Sequence, residues 1–296
     1  MSLAQTTAPH RFSHPDLPWA TRRLGTRVEG IDLENLSDAD FARVETALLT
    51  HSVIVLPDQQ LSVPGQVRFT ERFGEPEISL YTEFTHPEFP ALLTLSNAKR
   101  DGKAVGAARV GKHWHTDFSF MERCGYATIL YGIQVTPEGG QTAFADMYAA
   151  YDALDPEMKA RVDQMDVLHS YRLRYRNGGM SAEKLARTPD VVHPLVRTHP
   201  DTGRRCLFLG CTESSFAIGM ELEPGQAFMR ALIAHATSER FLHLHSWAPN
   251  DVLIWDNRAL MHTAMPFDEE KYDRILNRTS TIGDRPFRGG APAAQI

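Results

Sequence analysis

An α+β fold, a strand barrel or sandwich carrying helical insertions, is what this 296-residue sequence predicts. Three observations predict it. Short apolar runs that read as strands recur along the chain, helix-patterned segments are concentrated between them, and no repeat, low-complexity tract or linker divides the whole. A single domain over residues 21–290 is therefore expected. A polar, proline-containing leader precedes it at 1–20, and a short tail follows at 291–296.

The elements justify themselves in order. TRRLGTRVEGIDL (21–33) reads as short strands broken at Gly25 and Gly30. SDADFARVETALL (37–49) is a helix: Ser37 can cap it with Asp40 three residues on, and Phe41, Val44 and Leu48 share one face. VIVL (53–56) is a buried strand closed by Pro57-Asp58. A second helix runs from Ser62 to Gly74, with Phe69 and Phe73 one turn apart. Residues 96–112, SNAKRDGKAVGAARVGK, are small and basic with no apolar period, which predicts a loop. ATILYGIQV (127–135) and QTAFA (141–145) are strands, and MYAAYDALDPEMKARVDQM (147–165) is helical with an interruption near Asp155-Pro156. CLFLG (206–210) and FLHLHSW (241–247) are strands separated by an amphipathic helix around 225–237. HSWAPNDVLIWDN (245–257) reads as two strands joined at Pro249-Asn250-Asp251, and RILNRTSTIGD (274–284) is the last strand.

Composition narrows the function classes. The hydrophobic fraction of 42% and charged fraction of 23% are those of an ordinary globular protein. A net charge of −6 argues against nucleic-acid binding driven by phosphate neutralisation, yet leaves room for a local basic pocket. Three cysteines, Cys124, Cys206 and Cys211, form neither a disulfide framework nor a CxxC zinc cluster. With no apolar signal core and no long uncharged run, a cytoplasmic chain with no membrane partner is expected. A homo-oligomer is the expected assembly.

HWHTDF (113–118) carries the chemistry. If the stretch is extended, His113, His115 and Asp117 share one face. They can be three polar residues on a surface strand. They can also open a dinuclear HxHxD hydrolase site, although Phe118 stands where a further histidine normally follows. A cupin site would need a nearby glutamate, and Glu122 is seven positions beyond His115. The third reading takes His115-x-Asp117 as two arms of a facial triad, which leaves three positions open on octahedral Fe(II) for a chelating cosubstrate and O₂.

WDNRALMHTA (255–264) sharpens that reading by offering His262, 145 residues after Asp117 (262 − 117). Beyond it, Arg274 and Arg278 lie four apart and point to one face of an extended strand. Two inward guanidiniums are expensive to bury unless anions meet them, which suggests a receptor for carboxylates or sulfonates.

With these segments the chain resembles the taurine/2,4-dichlorophenoxyacetate dioxygenase (TauD/TfdA) family of Fe(II)- and 2-oxoglutarate-dependent oxygenases. The resemblance runs from about Gly25 to Phe287 through WHTD (114–117), PEGGQTAFADMYAAYDAL (137–154), HPLVRTHPDTGRRCLF (193–208), NDVLIWDNRALMH (250–262) and the arginine-bearing strand. It implies a double-stranded β-helix (jelly-roll) core with flanking helices. It implies iron on His115, Asp117 and His262, with His113 unligated. Thr142 and Arg274 would hold the distal carboxylate of 2-oxoglutarate, and Arg278 would face its metal-proximal carboxylate or an acidic substrate.

The implied reaction consumes O₂, releases succinate and CO₂, and hydroxylates a C–H bond of a small organic acid. Aryloxyalkanoates and alkylsulfonates are the leading substrate classes. VGKHWHTD (110–117) departs from the asparagine-rich segment found in taurine dioxygenases, which argues against taurine itself. ISLYTEFTHPEFP (78–90) and the loop 96–112 correspond to the family's substrate entrance, making Tyr81, Phe84, Lys99, Arg100 and Arg109 candidates. His243 and His245 alternate on a strand near the WDN segment and are weaker ones. A biosynthetic hydroxylase or desaturase of an amino-acid derivative is the alternative on the same fold. A metallohydrolase and a non-catalytic metal-binding jelly roll are the alternatives of other classes.

Overall fold

The computed structural model describes residues 23–80, 82–108, 110–175, 181–211 and 214–289. The leader at 1–20, the tail at 291–296 and the candidates Tyr81 and Arg109 lie outside the described residues. In chain order, β1 (Thr26–Arg27), α1 (Asp38–His51), β2 (Val53–Leu56) and α2 (Val63–Glu71) come first. They lead to β3 (Leu93–Ser96), β4 (Lys99–Arg100), β5 (Lys103–Ala104), β6 (Gly125–Gln134) and β7 (Thr142–Asp146). Next are α3 (Met147–Asp152), α4 (Pro156–Val162), β8 (Asp166–His169), α5 (Tyr171–Arg174) and α6 (Ala182–Ala186). β9 (Val191–Pro194), β10 (Val196–Thr198), β11 (Arg205–Leu207) and β12 (Ser215–Ala217) precede α7 (Leu222–Ala236). The last described elements are β13 (Leu242–His245), β14 (Val252–Asp256), β15 (Leu260–Ala264) and β16 (Ile275–Ile282).

Two sheets frame the centre. One has six strands in the order β1-β2-β14-β6-β16-β3, and the other has three in the order β13-β7-β15. β2 shows why its sequence is apolar throughout. Val53 and Val55 face inward and pack with Leu130, Leu253 and Leu276 of the same sheet and with Phe144 and Leu260 of the smaller one. Ile54 and Leu56 face outward, under Val44 and Leu48 of α1 and Phe69 and Phe73 at the end of α2. A strand covered on both faces has no polar position to alternate with.

The helices start where the sequence reading placed the Ser37 cap, the Ser62 helix start and the Asp155-Pro156 interruption. Ser37 and Ser62 accept hydrogen bonds from Asp40 N and Gly65 N, and Asp155 does the same for Met158 N behind the helix-starting Pro156. One expectation needs correction. The segment 96–112 contains the β4–β5 hairpin, because Asp101 and Gly102 both take positive φ (50° and 75°) and close a tight turn. The two strands read in HSWAPNDVLIWDN are present and belong to different sheets: β13 joins β7, whereas β14 joins β2 and β6. Asn250, at φ 66°, turns the chain from one sheet to the other.

Candidate active site

His115 and His262 meet through their backbones. Although 147 residues apart (262 − 115), they form an antiparallel bridge with N–H···O distances of 3.1 and 2.8 Å, and their rings lie 4.2 Å apart. His115 is therefore held as a short extra strand beside β15. The motif is not extended throughout, since residues 117–120 turn and Phe118 adopts φ 54°. That turn brings the Asp117 carboxylate back to the two imidazoles: Oδ1 lies 3.5 Å from His115 Nε2 and Oδ2 lies 3.7 Å from His262 Nε2. The ligand atoms of His115, Asp117 and His262 fall within 4.8 Å of one another, so they could hold one metal ion.

The protonation states suit a metal. His115 Nδ1 donates to the His113 carbonyl oxygen at 2.8 Å, which turns Nε2 toward the Asp117 carboxylate. Burial, reinforced by the neighbouring His115, pushes His262 well below its ordinary pKa and keeps it neutral. Burial works to raise Asp117, but the Arg278 guanidinium, the largest opposing influence, holds it well below the usual carboxylate range. Arg278 Nη2 stands 3.0 Å from Asp117 Oδ1. His113 remains outside the group, with its ring 5.0 Å from that of His115.

Two chambers open from this group. The smaller, about 100 Å³, is walled by His262, Thr142, Trp255 and Arg274. Thr142 Oγ1 accepts from Trp247 Nε1 at 3.1 Å, and Arg274 is anchored by its own N–H on Asn97 Oδ1 at 2.8 Å. Arg274 Nε is buried without a hydrogen-bond partner among the described residues, and burial pushes the guanidinium down to about 10. A buried cation with an unpaired donor is a site built for an anion.

The larger chamber, about 400 Å³, is walled by Phe84, Phe118, Phe120, Tyr171, Tyr175 and His113. The rings of Phe120 and Tyr171 pack tilted at 35° with centroids 4.3 Å apart, and those of Tyr171 and Tyr175 at 53° and 5.0 Å. His115, Asp117, Arg278 and the backbone around Ala107–Ala108 border both chambers.

Of the residues singled out from sequence, His115, Asp117, His262, Thr142, Arg274, Arg278 and Phe84 converge here. Lys99 and Arg100 do not, since they stand exposed on β4. Neither His243 nor His245 borders a chamber. His243 lies beneath Gly25, where a Cβ would meet its ring at 2.4 Å, and His245 Nε2 faces Asp251 Oδ2 at 3.4 Å. Sequence reasoning missed the aromatic wall from α5, although Tyr171 and Tyr175 at helical i,i+4 spacing were a readable signal. It also missed the side chains that support Asp117: Asn257 lies within the WDN segment already singled out, but Thr128 and Ser280 come from other strands.

This geometry has counterparts among known proteins. The family described as "Taurine catabolism dioxygenase TauD, TfdA family" matches residues 16–280. The chain belongs to that family. It is 33% identical to the (S)-phenoxypropionate/alpha-ketoglutarate-dioxygenase of Sphingobium herbicidovorans, over 88% of this chain and 92% of that one. It is 32% identical to the alpha-ketoglutarate-dependent 2,4-dichlorophenoxyacetate dioxygenase of Cupriavidus pinatubonensis, over 87% and 94%. The crystal structure of AAD-2 in complex with Mn(II) and N-oxalylglycine superposes with a TM-score of 0.75 at 31% identity, covering 89% of this chain and 95% of that one. The α+β jelly roll is thus the fold, and the protein is a dioxygenase that uses Fe(II), 2-oxoglutarate and O₂. The hydrolase and non-catalytic readings of HxHxD fall with this family membership.

Proposed function

We propose that this dioxygenase hydroxylates an aryloxyalkanoate, with iron on His115, Asp117 and His262. The carrying observation is the pair of unlike chambers joined at that group, one ending on the buried Arg274 and the other walled by packed aromatic rings. Bound Fe(II) with 2-oxoglutarate and O₂ supplies the oxidising power, and succinate and CO₂ leave. The chain's own residues position and exclude. Arg274 and Thr142 grip the distal carboxylate of 2-oxoglutarate, and Trp255 covers one wall of that chamber. Phe120, Tyr171 and Tyr175 hold the substrate's ring and keep water from the reacting C–H bond. The names of the two relatives support the aryloxyalkanoate class over alkylsulfonates.

Arg278 borders both chambers, so it can meet the proximal carboxylate of 2-oxoglutarate or the acid group of the substrate. The test compares an aryloxyalkanoic acid with its amide, scored by succinate formed. If Arg278 receives the substrate, Arg278→Gln damages turnover of the acid far more than that of the amide. Equal losses with weaker 2-oxoglutarate binding assign it to the cosubstrate. A panel in which no aryloxyalkanoate stimulates succinate formation rejects the substrate class. Among the described residues no helix is long and apolar enough to cross a membrane. The three cysteines are free and buried, which supports a cytoplasmic setting.

A further inference from the structure

The third ligand is tethered differently from the other two. His115 and His262 fix each other through paired backbone hydrogen bonds, but Asp117 lies in a turn and its N–H reaches, among the described residues, only Asn257 Oδ1, at 3.4 Å. Its carboxylate must be oriented by side chains. Thr128 Oγ1 donates to Asp117 Oδ2 at 2.8 Å. Asn257 Nδ2 lies 2.9 Å and Ser280 Oγ 3.1 Å from that same hydroxyl oxygen. Thr128, Asn257 and Ser280 are 0%, 1% and 3% exposed, so water does not compete for these bonds.

The direction of every proton in this network can be deduced. Trp255 Nε1 can only donate and lies 2.9 Å from Asn257 Oδ1, while the Tyr126 carbonyl can only accept and lies 3.1 Å from Asn257 Nδ2. These two neighbours settle the orientation of the amide, so Asn257 donates to Thr128. The single Thr128 proton goes to Asp117, an acceptor only, and Ser280 must therefore donate as well. Two donors occupy the lone pairs of Thr128 and leave its proton one destination. Sheet register assembles the set: Thr128 of β6 stands opposite Trp255 of β14 and Ser280 of β16.

We propose that Thr128 and Asn257 are positioning residues that orient the Asp117 carboxylate for metal binding. The proposal rests on the triad being the metal site. Supporting groups of this kind change metal affinity by about tenfold to a hundredfold when removed. The experiment titrates Mn(II) into apoprotein and records its melting temperature without metal. Thr128→Val is expected to bind Mn(II) about tenfold or more weakly. Thr128→Ser, which restores the hydroxyl, should return affinity to within about twofold of the parent. Asn257→Ala, which frees the Thr128 proton to rotate, should also weaken Mn(II), and it decides the matter if Thr128→Val does not fold. A lowered apoprotein melting temperature with unchanged Mn(II) affinity in these variants would mean a structural role only and would overturn the proposal. So would Thr128→Ser binding as poorly as Thr128→Val. Retained Mn(II) binding in His262→Ala would instead overturn the triad on which the proposal rests.

Discussion

The two chambers beside Asp117 are built from different parts of the fold. The smaller draws Thr142 from β7, His262 from β15 and Trp255 from β14, with Arg274 just ahead of β16; these strands belong to the two sheets around the inner core. The larger draws Phe84 from one 3-10 turn, Phe118 and Phe120 from the turn after the triad, and Tyr171 and Tyr175 from the four-residue α5 and its cap. Sheet-borne groups are fixed by hydrogen bonds on both sides, whereas turns and short helices can change residue and shape without disturbing the core. On the proposed reading, that division separates the chamber for the cosubstrate from the chamber for the substrate.

The comparison can be broken most severely at the group the chambers share. His262→Ala should lose bound metal and succinate formation together, whereas His113→Ala should retain metal; elemental analysis with a turnover assay measures both. Two tightly held zinc ions per chain would contradict the assignment. The next largest effect separates the chambers. Arg274→Ala should weaken 2-oxoglutarate binding by about 2–5 kcal/mol, the loss expected for a shielded charged partner, and leave Mn(II) affinity nearly unchanged. Calorimetric titration that finds 2-oxoglutarate affinity intact would remove Arg274 from the cosubstrate site. A smaller effect belongs to the aromatic chamber. Tyr171→Ala should weaken an aryl substrate by about 0.5–1.5 kcal/mol beyond its lost area, seen as a raised KM, with 2-oxoglutarate affinity unaffected. Coupled loss of both affinities would mean that the chambers are not independent.

The smallest effect concerns stability. Burial pushes the Glu77 carboxyl up from an ordinary 4.5 to about 7, opposed by Arg278 and assisted by the charge of Asp117. Because the folded value is the raised one, this contribution is fully present below about 4.5 and is lost as pH rises through about 7. Glu77→Gln should therefore flatten the fall in melting temperature between those pH values. A parallel pH profile in the variant would show that Glu77 ionises without penalty.

Much of this was readable along the chain wherever the signal is local. The Ser37 cap, the helix start at Ser62, the interruption at Asp155-Pro156 and the buried VIVL strand depend on neighbours a few positions away, and all of them appear where expected. His115, Asp117, His262 and the arginine pair stood out as candidates because few side chains can bind iron or carboxylates, and the fold brings all five together. The Asp101-Gly102 hairpin was equally local, and was obscured by the basic, aperiodic residues around it.

Tertiary structure alone decided the rest. No spacing rule brings His115 to His262 or aligns Thr128 with Trp255 and Ser280; those are matters of strand register between distant segments. Nor does the sequence tell that His243 and His245 stand outside the chambers, because a strand's alternation defines two faces without saying what covers either. Residue chemistry is written locally and determines what a side chain can bind. Sheet pairing is long-range, and it determines which side chains act together.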